Sequence, residues 1–69
     1  MFNEYDVFRL SRPLEDGSVP VGTEGVVLMV LGGEPCEYEV EFPDDNGGNL
    51  GKQLSYTLSE VMMREAGHS

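Results

Sequence analysis

The sequence predicts an all-β fold, a small five-stranded barrel that takes in residues 1–69 as a single domain. Residues 36–42 alternate strictly between apolar and acidic side chains, which is the two-residue period of a strand. Other short runs of branched and aromatic residues lie between clusters of Gly, Pro, Asp and Asn that are typical of turns. A chain of 69 residues holds only one core, and closing its sheet removes the edges that would otherwise aggregate.

The first predicted strand covers residues 5–10, with Val7 assigned to its core face, while the impure alternation leaves Phe8 and Leu10 as open alternatives. Residues 11–19 combine Pro, Asp, Gly and Ser and therefore predict a loop. Within this loop, Leu14 and Val19 are apolar, and we expect them to fold back over one end of the core. The glycines of the next six residues predict a second turn before the chain returns to strand structure.

Two strands joined by a Gly-Gly-Glu-Pro turn form the predicted centre of the fold. The earlier strand, residues 26–31, is apolar on both faces, which is typical of a central strand or of one that leaves a face open for a partner. In the later strand, residues 36–42, the even positions point to the core. The odd positions point outward and are all acidic: Glu37, Glu39 and Glu41.

The remaining third of the chain predicts a turn, a strand and an ambiguous tail. Residues 43–49, PDDNGGN, carry the strongest turn signal, and a calcium loop is rejected there because the EF-hand pattern is missing. A fourth strand is predicted over residues 50–58 from the apolar residues at even positions. Ser59 is a suitable cap for one helical turn near residues 59–62, after which either Gly67 ends the helix or a short strand closes the sheet at residues 62–64.

The excess negative charge lies in the middle of the chain. The net charge is −9, and no Lys or Arg stands between Pro13 and Gly51, where there are nine acidic residues. Such a surface repels nucleic-acid backbones and attracts cationic partners. Solubility is the alternative explanation, because a net charge of this size keeps a small domain dispersed.

The residue types for catalysis or metal binding are sparse. Cys36 is the single cysteine, so no internal disulfide forms, and a small apolar packing role is the simplest interpretation. The single His68 is the last residue but one and has no fixed partner in the sequence, and no Cys/His cluster suits zinc. We therefore predict no enzyme, metal or cofactor. With no signal peptide and no long apolar run, we predict a soluble, cytoplasmic protein.

Three blocks of the sequence carry a resemblance to a known family. Residues 5–10 read YDVFRL, residues 21–27 read VGTEGVV and residues 38–42 read YEVEF. Together they resemble a family of small bacterial proteins of unknown function with an SH3-like β-barrel, and the resemblance covers roughly residues 5–62. Members of that family are regarded as antitoxin or immunity proteins that bind toxin-like neighbours. The resemblance therefore implies a protein-binding role.

The resemblance also suggests a register for the second strand. The family carries a polar residue where this chain has Met29, which implies that this position lies outside the barrel. Under that register, Val26, Leu28 and Val30 face the core. The outward set is then apolar: Val27, Met29 and Leu31. A register shift of one residue reverses the assignment.

These expectations define one candidate binding surface. It combines acidic and apolar residues of the central hairpin with the acids of the following turn: Glu37, Glu39, Glu41, Val27, Met29, Leu31, Asp44 and Asp45. We predict that it docks a basic surface of a protein partner, such as a toxin or a nuclease, as an inhibitor that mimics the regular charges of a nucleic acid. The alternatives are a structural subunit or homo-oligomer, such as a homodimer, and a nucleic-acid-associated barrel, which the net charge disfavours. We expect no membrane association.

Overall fold

The structure, a computed structural model, describes residues 1–66, and five antiparallel strands make one sheet. The strands are β1 (Val7–Leu10), β2 (Glu24–Gly32), β3 (Glu37–Glu41), β4 (Tyr56–Ser59) and β5 (Met63–Glu65). Their order across the sheet is β4-β3-β2-β1-β5. The all-β prediction is confirmed, but within residues 1–66 the two edge strands do not pair with each other, so the sheet is not closed where the predicted barrel would close.

A 3-10 turn, Glu60–Met62, connects β4 directly to β5. The Ser59 side chain caps it by accepting a hydrogen bond from the Val61 N–H at 3.4 Å. Of the two alternatives predicted for the tail, the structure has the helical turn followed by a short strand, which begins one residue later than expected. The alternative helix end at Gly67 and the position of His68 lie outside the described residues.

One face of the sheet supports the core. Eleven apolar side chains of the described residues are buried there: Phe2, Phe8, Leu10, Leu14, Val19, Val27, Tyr38, Val40, Phe42, Leu58 and Met63. The aromatic rings meet edge to face, with the ring centroids of Phe8 and Phe42 5.6 Å apart. The prediction that Leu14 and Val19 fold back from the loop onto the core is confirmed.

The first strand is shorter than predicted and turns its other face to the core. Tyr5 has a φ of 69°, a left-handed conformation that no strand accommodates, so β1 begins at Val7. Val7 is 43% exposed, whereas Phe8 and Leu10 are fully buried, so the prediction for Val7 was wrong. The cause is the pairing with β2, in which Phe8 lies opposite Gly25 and its ring fills the space that a side chain there would take.

The second strand contains two irregularities that sequence alternation does not reveal. Its pairing with β3 slips between Val27 and Met29 and again between Val30 and Gly32. Each slip places an extra residue on β2 and rotates the following side chains to the other face, which is the effect of a β-bulge. The predicted register, with Val26, Leu28 and Val30 in the core, was therefore wrong for Val26, which pairs with Glu41 on the outer face. Val30 pairs with the core residue Tyr38 but is 44% exposed.

The fourth strand is confined to its last predicted third. Residues 50–54 form bends, and both Leu50 and Leu54 are exposed, so the prediction that they lie on the apolar face of a strand was wrong. The chain wraps around the ring of Tyr56 instead: the Tyr56 hydroxyl accepts a hydrogen bond from the Lys52 N–H at 2.8 Å. A side chain on Gly51 would collide with that hydroxyl. The aromatic residue thus organises the loop before the strand.

Candidate functional site

Three carboxylates stand in file on the outer face of β3, as the alternation predicted. Tyr38 and Val40 between them are fully buried on the opposite face. Glu37 is exposed, and Glu39 and Glu41 are half-buried. Because side chains on one face of a strand repeat every second residue, neighbouring carboxylates in the file are about 6.6–6.8 Å apart along the strand.

The residues opposite these carboxylates carry no charge. On the β2 side, Glu41 lies opposite Val26, Glu39 opposite Met29, and Glu37 opposite Gly32. On the β4 side, the neighbours of Glu39 and Glu37 are Thr57 and Ser59. None of the three glutamates makes a salt bridge within residues 1–66. The file is therefore a row of uncompensated negative charge.

The bulge at Leu28 decides which apolar residues accompany that row. Val27 pairs with Val40 and is fully buried, so its prediction as an outward binding residue was wrong. After the bulge, Met29 turns outward opposite Glu39 and is 50% exposed, in the place that the sequence predicted. Leu31 is 47% exposed at the second irregularity. We call Glu37, Glu39, Glu41 and Met29 together the acidic face.

Asp44 and Asp45, the two aspartates of the turn, have different surroundings. The Asp44 carboxylate accepts hydrogen bonds from the N–H groups of Asn46 at 2.9 Å and Gly48 at 2.8 Å, so it holds the turn together. Asp45 is exposed. Within residues 1–66, no group of three or more His, Cys, Asp or Glu residues is placed to hold a metal ion.

Cations occupy the opposite end of the same sheet face. Arg9 on β1 and Arg64 on β5 lie directly opposite each other. The Arg9 guanidinium donates to the Gly22 carbonyl oxygen at 2.9 Å, which fixes its position. Between these arginines and the glutamates lie Val7 and Val26, a pair of apolar residues that face each other across β1 and β2. Glu24 of β2 lies opposite Arg9, so this end of the face carries an acid as well as the two arginines.

Behind the acidic face, a buried phenol connects β3 to both ends of the described chain. The Tyr38 hydroxyl accepts a hydrogen bond from the Phe2 N–H at 3.0 Å and donates to Glu60 Oε2 at 3.4 Å. Burial raises the pKa of Tyr38, which keeps the phenol protonated as a donor. Cys36 is half-buried against this part of the core, in agreement with a packing role.

A groove beside β4 was not foreseen from the sequence. Residues 12–16 form one wall, and residues 56–58 with Val61 and Met62 form the other, around a cavity of ≈ 790 Å³. We call it the β4 groove. Its two walls are about 40 residues apart in sequence, so only the folded chain brings them together; the apolar Leu14 within a polar loop was the one local signal.

Comparison with protein-family models, with curated proteins and with solved structures finds no match to this chain. Among residues 1–66, no helix is long and apolar enough to cross a membrane. What the chain does must therefore be inferred from the acidic face, the β4 groove and the charges around them.

Proposed function

We propose that this chain is a small protein-binding module without catalytic activity, and that its acidic face docks onto a basic surface of a partner protein. The observation that carries the proposal is the file of Glu37, Glu39 and Glu41, which has no cation opposite it and has the exposed Met29 beside it. A partly apolar patch next to uncompensated charge combines the two ingredients of a protein interface.

The energetics of the carboxylate file support a cationic partner. Two unit charges about 6.7 Å apart repel each other by about 0.6 kcal/mol in water, and more where protein lowers the dielectric constant. A Lys or Arg from a partner relieves this repulsion and gains an attraction to more than one carboxylate. The field of the whole chain, with its net charge of −9, steers such a partner toward the face.

A binding role fits these carboxylates better than catalysis does. Catalytic acids need a concave, partly desolvated site that separates their proton affinities. The three glutamates stand instead on an open strand face. A nucleic-acid-binding protein recognises the regular negative charges of a phosphate backbone, and the row of glutamates resembles them. We therefore propose a toxin or nuclease as the class of partner. The chain would act as its antitoxin, immunity protein or inhibitor.

We also propose that the sheet belongs to the SH3-like barrels. Support comes from the order β4-β3-β2-β1-β5, from β2 pairing with β1 at its start and β3 at its end, and from the 3-10 turn between β4 and β5. β2 also carries two register irregularities, and bulges of this kind are how sheets bend toward closure. The three sequence blocks that resemble the SH3-like family support the same assignment.

The proposed docking is tested by charge reversal. A variant with Glu37→Lys, Glu39→Lys and Glu41→Lys is compared with a control that carries Glu4→Lys, Glu34→Lys and Glu65→Lys, three exposed glutamates outside β3. Both variants change the net charge equally. Proteins are captured from the native host by each immobilised variant, and the Kd of the identified partner is then measured. We expect the β3 variant to lose the partner and the control to retain it; equal retention by a folded β3 variant overturns the proposal.

Self-association is a second candidate function, favoured by one observation. Met29, Val30 and Leu31 are consecutive apolar residues, and each is between 44% and 50% exposed. A homo-oligomer held by this run would have to overcome repulsion between copies of charge −9, so its association strengthens as salt screens the charge. Docking onto a basic partner weakens with salt. Light scattering from low to high ionic strength therefore separates the two functions.

A further inference from the structure

The outer edge of β4 presents backbone groups that the rest of the described chain does not bond. β4 is an edge strand whose one neighbour is β3. The Glu60 N–H donates to the Cys36 carbonyl oxygen at 2.8 Å, in continuation of the β3–β4 register. Bonded and non-bonded pairs alternate along an antiparallel ladder, so Leu58 bonds to β3 while Thr57 points its N–H and C=O away from it. Thr57 therefore offers a donor and an acceptor to another strand.

The β4 groove lies along this same edge. It contacts Tyr56, Thr57 and Leu58, three consecutive residues whose side chains alternate between the two faces, so the cavity follows the strand edge rather than either face. Leu14 and Val61 contribute apolar side chains to its lining. At about 3.4 Å per residue, the four residues of β4 give an edge of about 14 Å.

Hydrogen bonds near both ends of the groove fix the spacing between its two walls. The Ser11 N–H donates to the Met62 carbonyl oxygen at 2.8 Å, and at the other end the hydroxyls of Ser18 and Tyr56 are 2.9 Å apart. The loop wall is thus tied to the strand wall before any ligand arrives. A preformed groove lowers the ordering cost of binding.

The charges around the groove select what enters it. The loop wall carries Glu15 and Asp16 together with Arg12, and the charge of Lys52 acts on Asp16 from outside the lining. The Asp16 carboxylate accepts a hydrogen bond from the Ser18 N–H at 2.9 Å, and this bond lowers the pKa of Asp16 and keeps it ionised. On the outer face, Glu39 lies directly across from Thr57. Carboxylates therefore flank the open edge on both sides.

We propose that an extended segment of a partner protein adds to the sheet beside β4, with apolar side chains turned into the β4 groove and Lys or Arg side chains turned to the acidic face. Such strand addition takes affinity from main-chain hydrogen bonds and specificity from alternate side chains. The contact of Lys or Arg with the acidic face rests on the proposed function, whereas the main-chain hydrogen bonding to β4, the backbone half of the proposal, does not. A second copy of the chain is the wrong occupant, because two copies of charge −9 repel each other.

The backbone half is tested by amide exchange with a defined probe. The probe is a short capped peptide of alternating lysine and valine, and a second peptide has glutamate in place of lysine. In the free protein we expect the Thr57 amide to exchange much faster than the Leu58 amide, because only the latter is bonded to β3. Saturating lysine peptide slows exchange at Thr57 by about tenfold or more, as a new ladder bond requires.

Two pairs of variants sharpen the test. Thr57→Pro removes the outward N–H and leaves the β3 ladder intact, as proline on an edge strand does, and we expect it to weaken lysine-peptide binding about tenfold. Thr57→Val keeps the N–H and the affinity. Val61→Asn makes the groove polar and weakens binding severalfold, whereas Val21→Asn, at a residue of matching exposure (53% against 51%), leaves it unchanged.

The outcomes separate strand addition from the proposed function. Lysine peptide that shifts only the resonances of β3, with Thr57 unprotected, overturns strand addition and leaves acidic-face docking in place. Equal binding of the glutamate peptide overturns the basic partner while the added strand stands. If the Thr57 amide becomes more protected as protein concentration rises in the absence of peptide, the edge binds a second copy and the proposal is overturned. If Thr57→Pro does not fold, amide exchange at Thr57 in the wild type and peptide binding by Val61→Asn and Val21→Asn still test strand addition.

Discussion

Gly25 lies directly opposite Phe8 across β1 and β2, and the Phe8 ring occupies the space where a side chain at Gly25 would stand. A Cβ at Gly25 would be 2.6 Å from Phe8 Cζ and 2.9 Å from the Glu41 carbonyl oxygen. Phe8 is fully buried and touches Phe42 edge to face, so it has no room to retreat. This glycine thus sets which face of β1 is the core face.

Gly25→Ala is therefore expected to destabilise the fold by about 2 kcal/mol, because overpacking forces the ring or the backbone to shift. For a domain of this size the melting temperature falls by roughly 10 °C. The matched control is Gly48→Ala, since a Cβ there would meet only the Asp44 carboxylate, whose nearest atom, Oδ2, is 3.4 Å away. Urea denaturation of both variants checks the prediction; equal midpoints would mean that Phe8 moves aside without cost.

Tyr38→Phe tests the buried phenol. The variant keeps the packing but leaves the Phe2 N–H without its acceptor, so we expect a loss of about 1–2 kcal/mol. Tyr5→Phe, at a residue that is 71% exposed, is the control and should change little. Chemical denaturation at neutral pH compares the two.

The same phenol gives the protein a dependence on alkaline pH. Because burial raises the pKa of Tyr38 above its ordinary 10.0, the folded state holds the proton more tightly than the unfolded state. The contribution of Tyr38 to the free energy of unfolding is therefore fully present below pH 10 and is lost as the pH rises above it. Measured from pH 8 to 11, the free energy of unfolding should fall less steeply in Tyr38→Phe than in the wild type. A slope that the substitution does not change contradicts this assignment.

Sequence reasoning succeeded where one local pattern decides the structure. The strict alternation of β3 predicted its core and acidic faces, because burial of Tyr38 and Val40 leaves the carboxylates no other side. Ser59 likewise predicted the helical turn, since a cap bonds to a backbone group only two residues away. In both cases the forces act within a few residues of chain.

The failures came from contacts between distant segments. Phe2 is a core residue because Tyr38, 36 positions away, holds its backbone N–H, and nothing near Phe2 signals this. The face of β1 depends on the missing side chain of Gly25. The β4 groove exists because a loop and a strand on opposite sides of the hairpin pack together. Residues 50–54 looked like a strand, but the Tyr56 hydroxyl binds their backbone in bends.

The bulge in β2 predicts opposite results at two nearby positions. Val27 is fully buried, so Val27→Ala should cost about 2 kcal/mol by leaving a cavity. Met29 lies outward opposite Glu39, so Met29→Lys should be neutral or stabilise by a few tenths of a kcal/mol through the new cross-strand ion pair. Without a bulge, residues two apart share a face and both changes would act alike. Urea denaturation of the two variants decides between these geometries.

The adjacent aspartates of the turn allow folding and binding to be separated. Asp44→Ala removes the acceptor of two backbone N–H groups, so we expect a loss of about 1 kcal/mol, whereas Asp45→Ala, at an exposed residue, should leave stability unchanged. Both variants remove one negative charge and should therefore slow association with a basic partner similarly at low salt, with the difference from wild type vanishing at high salt. Stopped-flow association rates and urea midpoints measured on the same samples test both statements. A stability loss at Asp45 equal to that at Asp44 would contradict the turn geometry, and association rates equal to wild type at low salt would remove the turn from the steering surface.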